Sequence, residues 1–389
     1  MTAIHTPAAC FRLIKRLRPL ALVLLLSGNS LAARAADIVI GQVAPLSGVL
    51  AGTGRDMVLG AHIYFEHINA SGGINGKRIR HEVRDDGYKV DETVRLTKEL
   101  IDDTRAAALI GFAGTANVGE VQKLGLLDAG KIALVAPYTG GENLRGDDNH
   151  NIFHIRAGYA DEAEHMVDHL ATLGIRNIAV FYQNDGFGEA GKRGVEAALT
   201  KRGLTLAAAA SYERNTDEVA SAVDSIRKSA AAAVIMISVN RSTAAFAKAY
   251  RAAGGSAQLL NISVVDAGQL VRLSGIDAVH GLGISQVMPF PYSETQPVTR
   301  EFRKLFAKYA PAGTAISYTS FEEFIGAKIL VEAIRRAGPA PTPERILRAL
   351  ETLGNHDVGG FIVDFSPSRH AGSHFVEVTV IGRSGRLLH

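Results

Sequence analysis

Short apolar runs alternate with helical stripes along almost the whole chain after residue 36, and that alternation leaves few folds open. DIVIGQVA at 37–44 reads as a buried strand that stops at Pro45. Over 54–70, Met57, Ala61, Tyr64 and Ile68 recur at the spacing of one helix face, and Ser71, Gly72 and Gly73 end the run. A strand at 78–83, a helix marked by Val90, Val94, Thr97 and Ile101, and short apolar strands at 107–111 and 132–137 follow. The pattern then restarts. Ala163, Met166, Val167 and Leu170 form a stripe, NIAVFY at 177–182 is a strand, a polar loop carries Asp185, and a helix spans 188–201. Strands at 204–209, 233–238, 259–262 and 281–287 complete the series. Such alternation predicts parallel sheets with helices on both faces. Its restart within 389 residues predicts two α/β lobes.

The C-terminal third departs from the pattern. Helices are expected at 299–309, 317–336 and 343–353, the last with Thr342 as N-cap and Pro343 at its first position. The tail, 360–389, reads as antiparallel strands with turns near 366–371 and 383–385. A terminal hairpin is not how a simple doubly wound sheet ends.

The first 35 residues have a different character. Arg12, Lys15, Arg16 and Arg18 precede an apolar run at 20–26, and Ala33-Arg34-Ala35 offers a small-residue cleavage site, the layout of an export signal. The run is too short to span the roughly 30 Å of bilayer hydrocarbon, so no direct membrane anchor is expected. Losing five of the 42 basic residues and none of the 39 acidic ones turns the net charge from +3 to −2. The basic balance thus belongs to the removable segment, and nucleic acid loses its support as a partner. Cys10, the sole cysteine, is removed too and precedes the apolar run. The mature chain then has no thiol for a disulfide, a metal or nucleophilic catalysis, and Cys10 is not placed for lipid attachment.

Ligands of open α/β sheets sit beyond the carboxyl ends of the strands. Four loops occupy such positions. PLSGVLAGTGR at 45–55 brings Ser47 and Thr53 and opens a helix whose first amides favour an anion. GFAGTAN at 111–117 brings Ala113, Gly114 and Thr115, again before a helix; PYTGGE at 137–142 brings Tyr138, Thr139 and Gly140; and QNDGF at 183–187 brings Asp185 and Phe187. One such loop would be an ordinary turn; four at equivalent positions predict a binding cleft, to which Asn240 is added from the second half. Signatures of enzymes fail. Gly52-x-Gly54 has Met57 where a dinucleotide fingerprint needs glycine, and there is no nucleophile elbow or phosphate loop. His165 and His169 have metal-ligand spacing but lack the H-E-x-x-H arrangement and read as solvated surface residues. Asp85-Asp86 and Asp102-Asp103 read as caps and turns. No cofactor or metal is expected.

With these loops the sequence resembles the type I periplasmic binding proteins, the family of the leucine/isoleucine/valine-binding protein. IGQVAPLSGVLAGTGRDMVLGAHIYFEHINASGGINGKRIRHEVRDDG at 40–87, ALIGFAGTANVGEV, IALVAPYTGGENLR, IAVFYQNDGFGEAGKRGVEAAL and SFEEFIGAKILVEAIRRAG carry the resemblance in order. GGFIVDFSPSRHAGSHFVEVTVIGRSGR is similar to the family's closing hairpin. The resemblance implies a two-lobed fold of two doubly wound parallel sheets joined by a three-segment hinge. Lobe I would be 36–156 with 289–359, and lobe II 157–288 with 360–389. It implies a periplasmic, non-enzymatic protein that holds an amino acid or a related small carboxylate or amide and serves the permease and ATPase subunits of an ABC importer. A sensory protein docking to a membrane receptor is the alternative. Residue by residue, Ala113–Thr115 would hold a carboxylate, Tyr138–Gly140 part of an amino group, and Phe187 would cover the ligand. Where the branched-chain binders place a glutamate against the ammonium, this sequence has Ser263, with Asp185 a possible substitute. That departure opens an uncharged or purely anionic solute as ligand, because a buried ammonium without a carboxylate is costly.

Overall fold

The computed structural model describes residues 36–146 and 149–389; the expected export signal at 1–35 lies outside them. Strands β1 (Ile38–Ala44), β2 (Ile79–Asp85), β3 (Ala108–Ile110), β4 (Leu134–Val135) and β5 (Ile152–Phe153) form a parallel sheet in the order β2-β1-β3-β4-β5. The largely apolar run of β1, interrupted by the buried Gln42, follows from burial on both faces. Ile38 and Ile40 enter one core, with α1 (Ala51–Ala70), while Val39 and Val43 enter another, with α2 (Val90–Asp102), α3 (Thr115–Lys123) and α4 (Leu126–Gly130).

The second sheet repeats this logic. Strands β6 (Ile178–Gln183), β7 (Ala208–Tyr212), β8 (Ala233–Ile237), β9 (Gln258–Asn261) and β10 (Gly283–Gln286) are parallel. Ile178 and Val180 pack on α5 (Tyr159–Thr172) and α6 (Gly186–Thr200). Ala179 and Phe181 pack on α7 (Ala220–Lys228), α8 (Asn240–Ala252), α9 (Ala267–Ser274) and α10 (Ile276–Val279). β7 begins later than the apolar pattern at 204–209 suggests. Its register opposes Ala179 with Ala208, and Leu204 and Leu206 pack on the core as the chain enters the sheet.

The chain then returns to the first core through α11 (Pro297–Tyr309), α12 (Tyr318–Arg336) and α13 (Pro343–Glu351), whose Phe302, Phe321, Phe324 and Ile346 join Ile38 and Ile40. Thr342 caps α13 by accepting the Arg345 amide. The tail corrects the expected layout in one place. β11 (Gly354–Asp357) and β12 (Ile362–Phe365) form their own antiparallel ribbon, and Phe361, Val363 and Phe365 are buried in the first core. A boundary at 359/360 would cut this ribbon in two; the chain leaves the first core only after Phe365. The terminal hairpin is β13 (Glu377–Ile381) with β14 (Leu387–Leu388), added antiparallel beside β10. The second sheet therefore reads β14-β13-β10-β9-β8-β6-β7. The architecture is two parallel-dominated sheets, each with helices on both faces. Among the described residues no helix is long and apolar enough to cross a membrane.

Candidate functional site

The loops after β3 and β4 lie side by side as an extension of the sheet. Ala113 bridges Tyr138 in parallel, and the Tyr138 amide donates to the Phe112 carbonyl at 2.8 Å. Gly114 sits at φ 98°, a left-handed value that side chains rarely adopt, and a Cβ there would lie 2.7 Å from both the Tyr88 ring and the Asn117 Oδ1. Only glycine lets α3 start so close to these neighbours. The first helical hydrogen bond of α3 runs from the Val118 amide to the Gly114 carbonyl, so the amides of Thr115, Ala116 and Asn117 precede it and face an anion favourably. Beside them, the Thr115 and Thr139 hydroxyls are buried and 2.7 Å apart.

Leu50, Tyr88, Gly114, Tyr138, Tyr159, Phe187, Val239 and Val264 line a narrow cavity of about 20 Å³ between the loops of the two sheets. Tyr159 and Phe187 meet edge to face with ring centroids 5.5 Å apart. Burial pushes the Tyr88, Tyr138 and Tyr159 hydroxyls above the usual phenol range, so all three walls are neutral. A larger open groove of about 1400 Å³ flanks the same seam. Its lining mixes Arg55 and Arg272 with Asp56 and Asp266, so no single charge selects a ligand there.

Of the residues expected at the cleft, Gly114, Tyr138 and Phe187 line the cavity, and Ala113, Thr115, Thr139 and Gly140 lie immediately beside it on the same loops. Thr53 and Asn240 join the halves through a 3.2 Å hydrogen bond from Asn240 Nδ2 to Thr53 Oγ1. Ser47 is exposed, its amide donating to the Asp85 carboxylate, and it stands outside the cavity. Asp185 is occupied. It caps α6 through the Phe187 and Gly188 amides and pairs with Arg214 at 2.7 Å, so its charge is already balanced within the protein. Asp85 and Asp86 accept turn amides from Leu46, Gly87 and Tyr88, and His165 and His169 are exposed. Among the described residues no cluster of three metal-ligating side chains occurs.

Ser263 belongs to a buried charge cluster behind Tyr138 rather than to the cavity wall. Its amide and hydroxyl donate to Glu162 at 2.8 and 2.9 Å, and it touches Arg156 Nη2. Ser285 also donates to Glu162, at 2.6 Å. The fully buried Arg156 lies 3.5 Å from Glu162 and 3.4 Å from Glu322, with its guanidinium 4.9 Å from the Tyr138 ring centroid. Burial pushes the Glu322 carboxyl up to about 7, outweighing the attraction of Arg156. Burial raises neighbouring Glu323 well above the usual range, with the Glu322 charge adding to the effect. Burial also opposes the charge on Arg156, but Glu322 and Glu162 outweigh it and raise its pKa. Glu162 is thus committed to Ser263 and Ser285, and none of the cavity's lining residues carries a carboxylate.

Leu50, Tyr88, Tyr159, Val239 and Val264 escaped the loop-by-loop reading. Tyr88, Val239 and Val264 each follow the carboxyl end of a strand, and Tyr159 opens a helix. The rule that selected the four loops would have found them had apolar residues been admitted as ligand contacts.

A family model described as "Periplasmic binding protein" matches residues 37–386. Curated relatives include Leu/Ile/Val-binding protein homolog 3 of Brucella melitensis, 24% identical over 329 residues, covering 81% of this chain and 83% of that one. Homolog 7 of the same species is 25% identical, covering 83% and 82%. Among solved structures, a substrate-binding periplasmic protein from Ralstonia solanacearum is 40% identical, with a TM-score of 0.86 and coverage of 90% of this chain and 99% of that one. A possible leucine/isoleucine/valine-binding protein from Rhodopirellula baltica is 28% identical, with a TM-score of 0.87 and coverage of 93% and 98%. These are solute-binding proteins rather than enzymes. With its family match spanning both sheets and its loops meeting over a narrow cavity, the chain belongs to the type I periplasmic binding proteins.

Proposed function

We propose that the protein captures a small carboxylate with an apolar, aromatic-compatible body and delivers it to the permease and ATPase of an ABC importer. One observation carries the ligand class: a cavity walled by Tyr88, Tyr138, Tyr159 and Phe187 lies against the N-terminus of α3, with no carboxylate in its lining. The carboxylate would meet the first amides of α3 and the Thr115 and Thr139 hydroxyls, and the body would stack among the rings. An ammonium there would lack a counter-charge. Two lobes close over the solute, 36–156 with 289–359 and 157–288 with 360–389, the last boundary shifted beyond Phe365 because β12 pairs with β11. The closed state gains from a solute that touches both lobes. Export of residues 1–35 as a signal, release into the periplasm, and docking to the importer belong to the same reading.

A second reading is an amino acid ligand, which the names of the Brucella relatives favour. Thermal-shift and calorimetric titration with benzoate, phenylacetate, 4-hydroxybenzoate, leucine, valine and phenylalanine separates the two, because a ligand of the folded state raises the melting temperature. Aromatic carboxylates are expected to bind and the amino acids to fail. Tighter binding of leucine or phenylalanine than of their deaminated analogues would replace the first reading by the second.

A further inference from the structure

We propose that Arg214 is a positioning residue that latches the two lobes together and holds Tyr88 as a wall of the ligand cavity. The inference rests on the two-lobed reading above. Arg214 lies in the loop between β7 and α7, in the second half of the chain. Its Nη1 is tethered within that half to Asp185 Oδ2 at 2.7 Å. Asp185 is itself fixed as the N-cap of α6. Across the seam, Nη2 donates to the Tyr88 carbonyl at 2.7 Å and to Asn117 Oδ1 at 2.6 Å. The guanidinium also stacks on Tyr88, 3.7 Å from the ring centroid.

The acceptors are prepared for it. Asn117 is fully buried, and its Nδ2 donates to Thr93 Oγ1 at 2.7 Å, which aims its carbonyl oxygen at Arg214. Thr93 in turn donates to Asp86 at 2.5 Å. One chain of hydrogen bonds therefore runs from Asp86 through Thr93, Asn117 and Arg214 to Asp185 and crosses the seam at Arg214. Its guanidinium makes three directed bonds and one stacking contact from a plane already oriented by Asp185, a geometry a lysine ammonium does not reproduce. Opening the lobes breaks the bonds to Tyr88 and Asn117 together but leaves the tether to Asp185. The latch can therefore re-form without a search, and Tyr88 is fixed against the cavity only while it is closed.

The test uses the absence of cysteine after residue 35. Exposed Lys123 and Lys228 are changed to cysteine and spin-labelled, and inter-lobe distances are measured by pulsed electron resonance with and without benzoate. R214Q and R214K are each expected to raise the open-to-closed ratio of the free protein roughly tenfold, because charge-assisted bonds across the seam are lost. N117A added to R214Q should change the ratio little further, since both remove one link. The melting temperature should move only slightly, because the contacts lie between lobes rather than within a core. Unchanged distances in R214Q, or a wild-type distribution in R214K, would overturn the latch. If benzoate moves the distances while R214Q does not, the latch alone fails; if neither moves them, the closing motion fails with it.

Discussion

Two arginines cross between the sheets, and they do so in opposite ways. Arg156 has no exposed side-chain surface and is bracketed by Glu162 and Glu322. Its Nε and Nη1 find no hydrogen-bond acceptor. Arg214 keeps 17% of its side chain exposed, and every cross-seam partner is a neutral oxygen or a ring. A buried ion pair is expensive to assemble and more expensive to break, so Arg156 suits a permanent junction. Neutral acceptors cost less to uncover than a buried charge does, so Arg214 suits a contact that forms and breaks. The two lie behind different walls of one cavity, Arg156 under Tyr138 and Arg214 over Tyr88. One wall is thereby fixed and the other movable.

The largest effect should come from the deep arginine. Arg156→Met leaves two buried carboxylates facing an apolar group and should destabilise the fold by about 3–5 kcal/mol. Arg214→Gln should cost under about 1 kcal/mol, as expected of a partly solvated contact. Urea denaturation of both variants checks the contrast, and equal losses would break it. Next is the proposed anion site at the start of α3. Thr115→Val keeps the shape and removes the hydroxyl beside the α3 amides, and should weaken benzoate binding by roughly 1.5–3 kcal/mol, about ten- to a hundredfold. Calorimetry measures it; full affinity would move the anion elsewhere, with Thr139 the next suspect.

A smaller effect sharpens the chemistry around Arg156. Glu322 has a folded pKa of about 7, above its ordinary 4.5, so between these values the folded state binds the extra proton. Stability from this group is then full below about 4.5 and lost as pH rises toward 7. Glu322→Gln should flatten the fall in stability over that window, measured by denaturation at pH 4.5, 6 and 7.5. A slope unchanged from wild type would assign it to Glu323 or elsewhere. The smallest effect serves as the control. Changing exposed His165 and His169 together to alanine should leave stability within about 0.5 kcal/mol and benzoate affinity unchanged, as for surface substitutions away from any site. A large loss in either measurement would mean that a role for this pair had been missed.

Much of the architecture was legible in the residues themselves. The alternation of apolar runs with helical stripes announced two parallel-dominated sheets, because β1 and β6 are covered on both faces and must be largely apolar. Local chemistry was equally readable. Thr342 caps α13, and Asp85 and Asp86 accept the Gly87 and Tyr88 amides of their own turn, because those bonds involve near neighbours. The family resemblance located Ala113 to Thr115 and Tyr138 to Gly140, and these loops do lie together.

Tertiary structure alone decided which carboxylates and hydroxyls were still free. Asp185 and Ser263 each stand near the ligand loops in sequence pattern, yet Arg214 claims the first and Glu162 the second, from 29 and 101 residues away. It also decided that β12 pairs with β11 rather than with the terminal hairpin, since backbone pairing depends on what Phe361, Val363 and Phe365 can bury. A strand or a cap follows from the spacing of side chains along one segment. The occupancy of a polar group depends on partners brought close only when distant segments pack, and no local pattern encodes that distance.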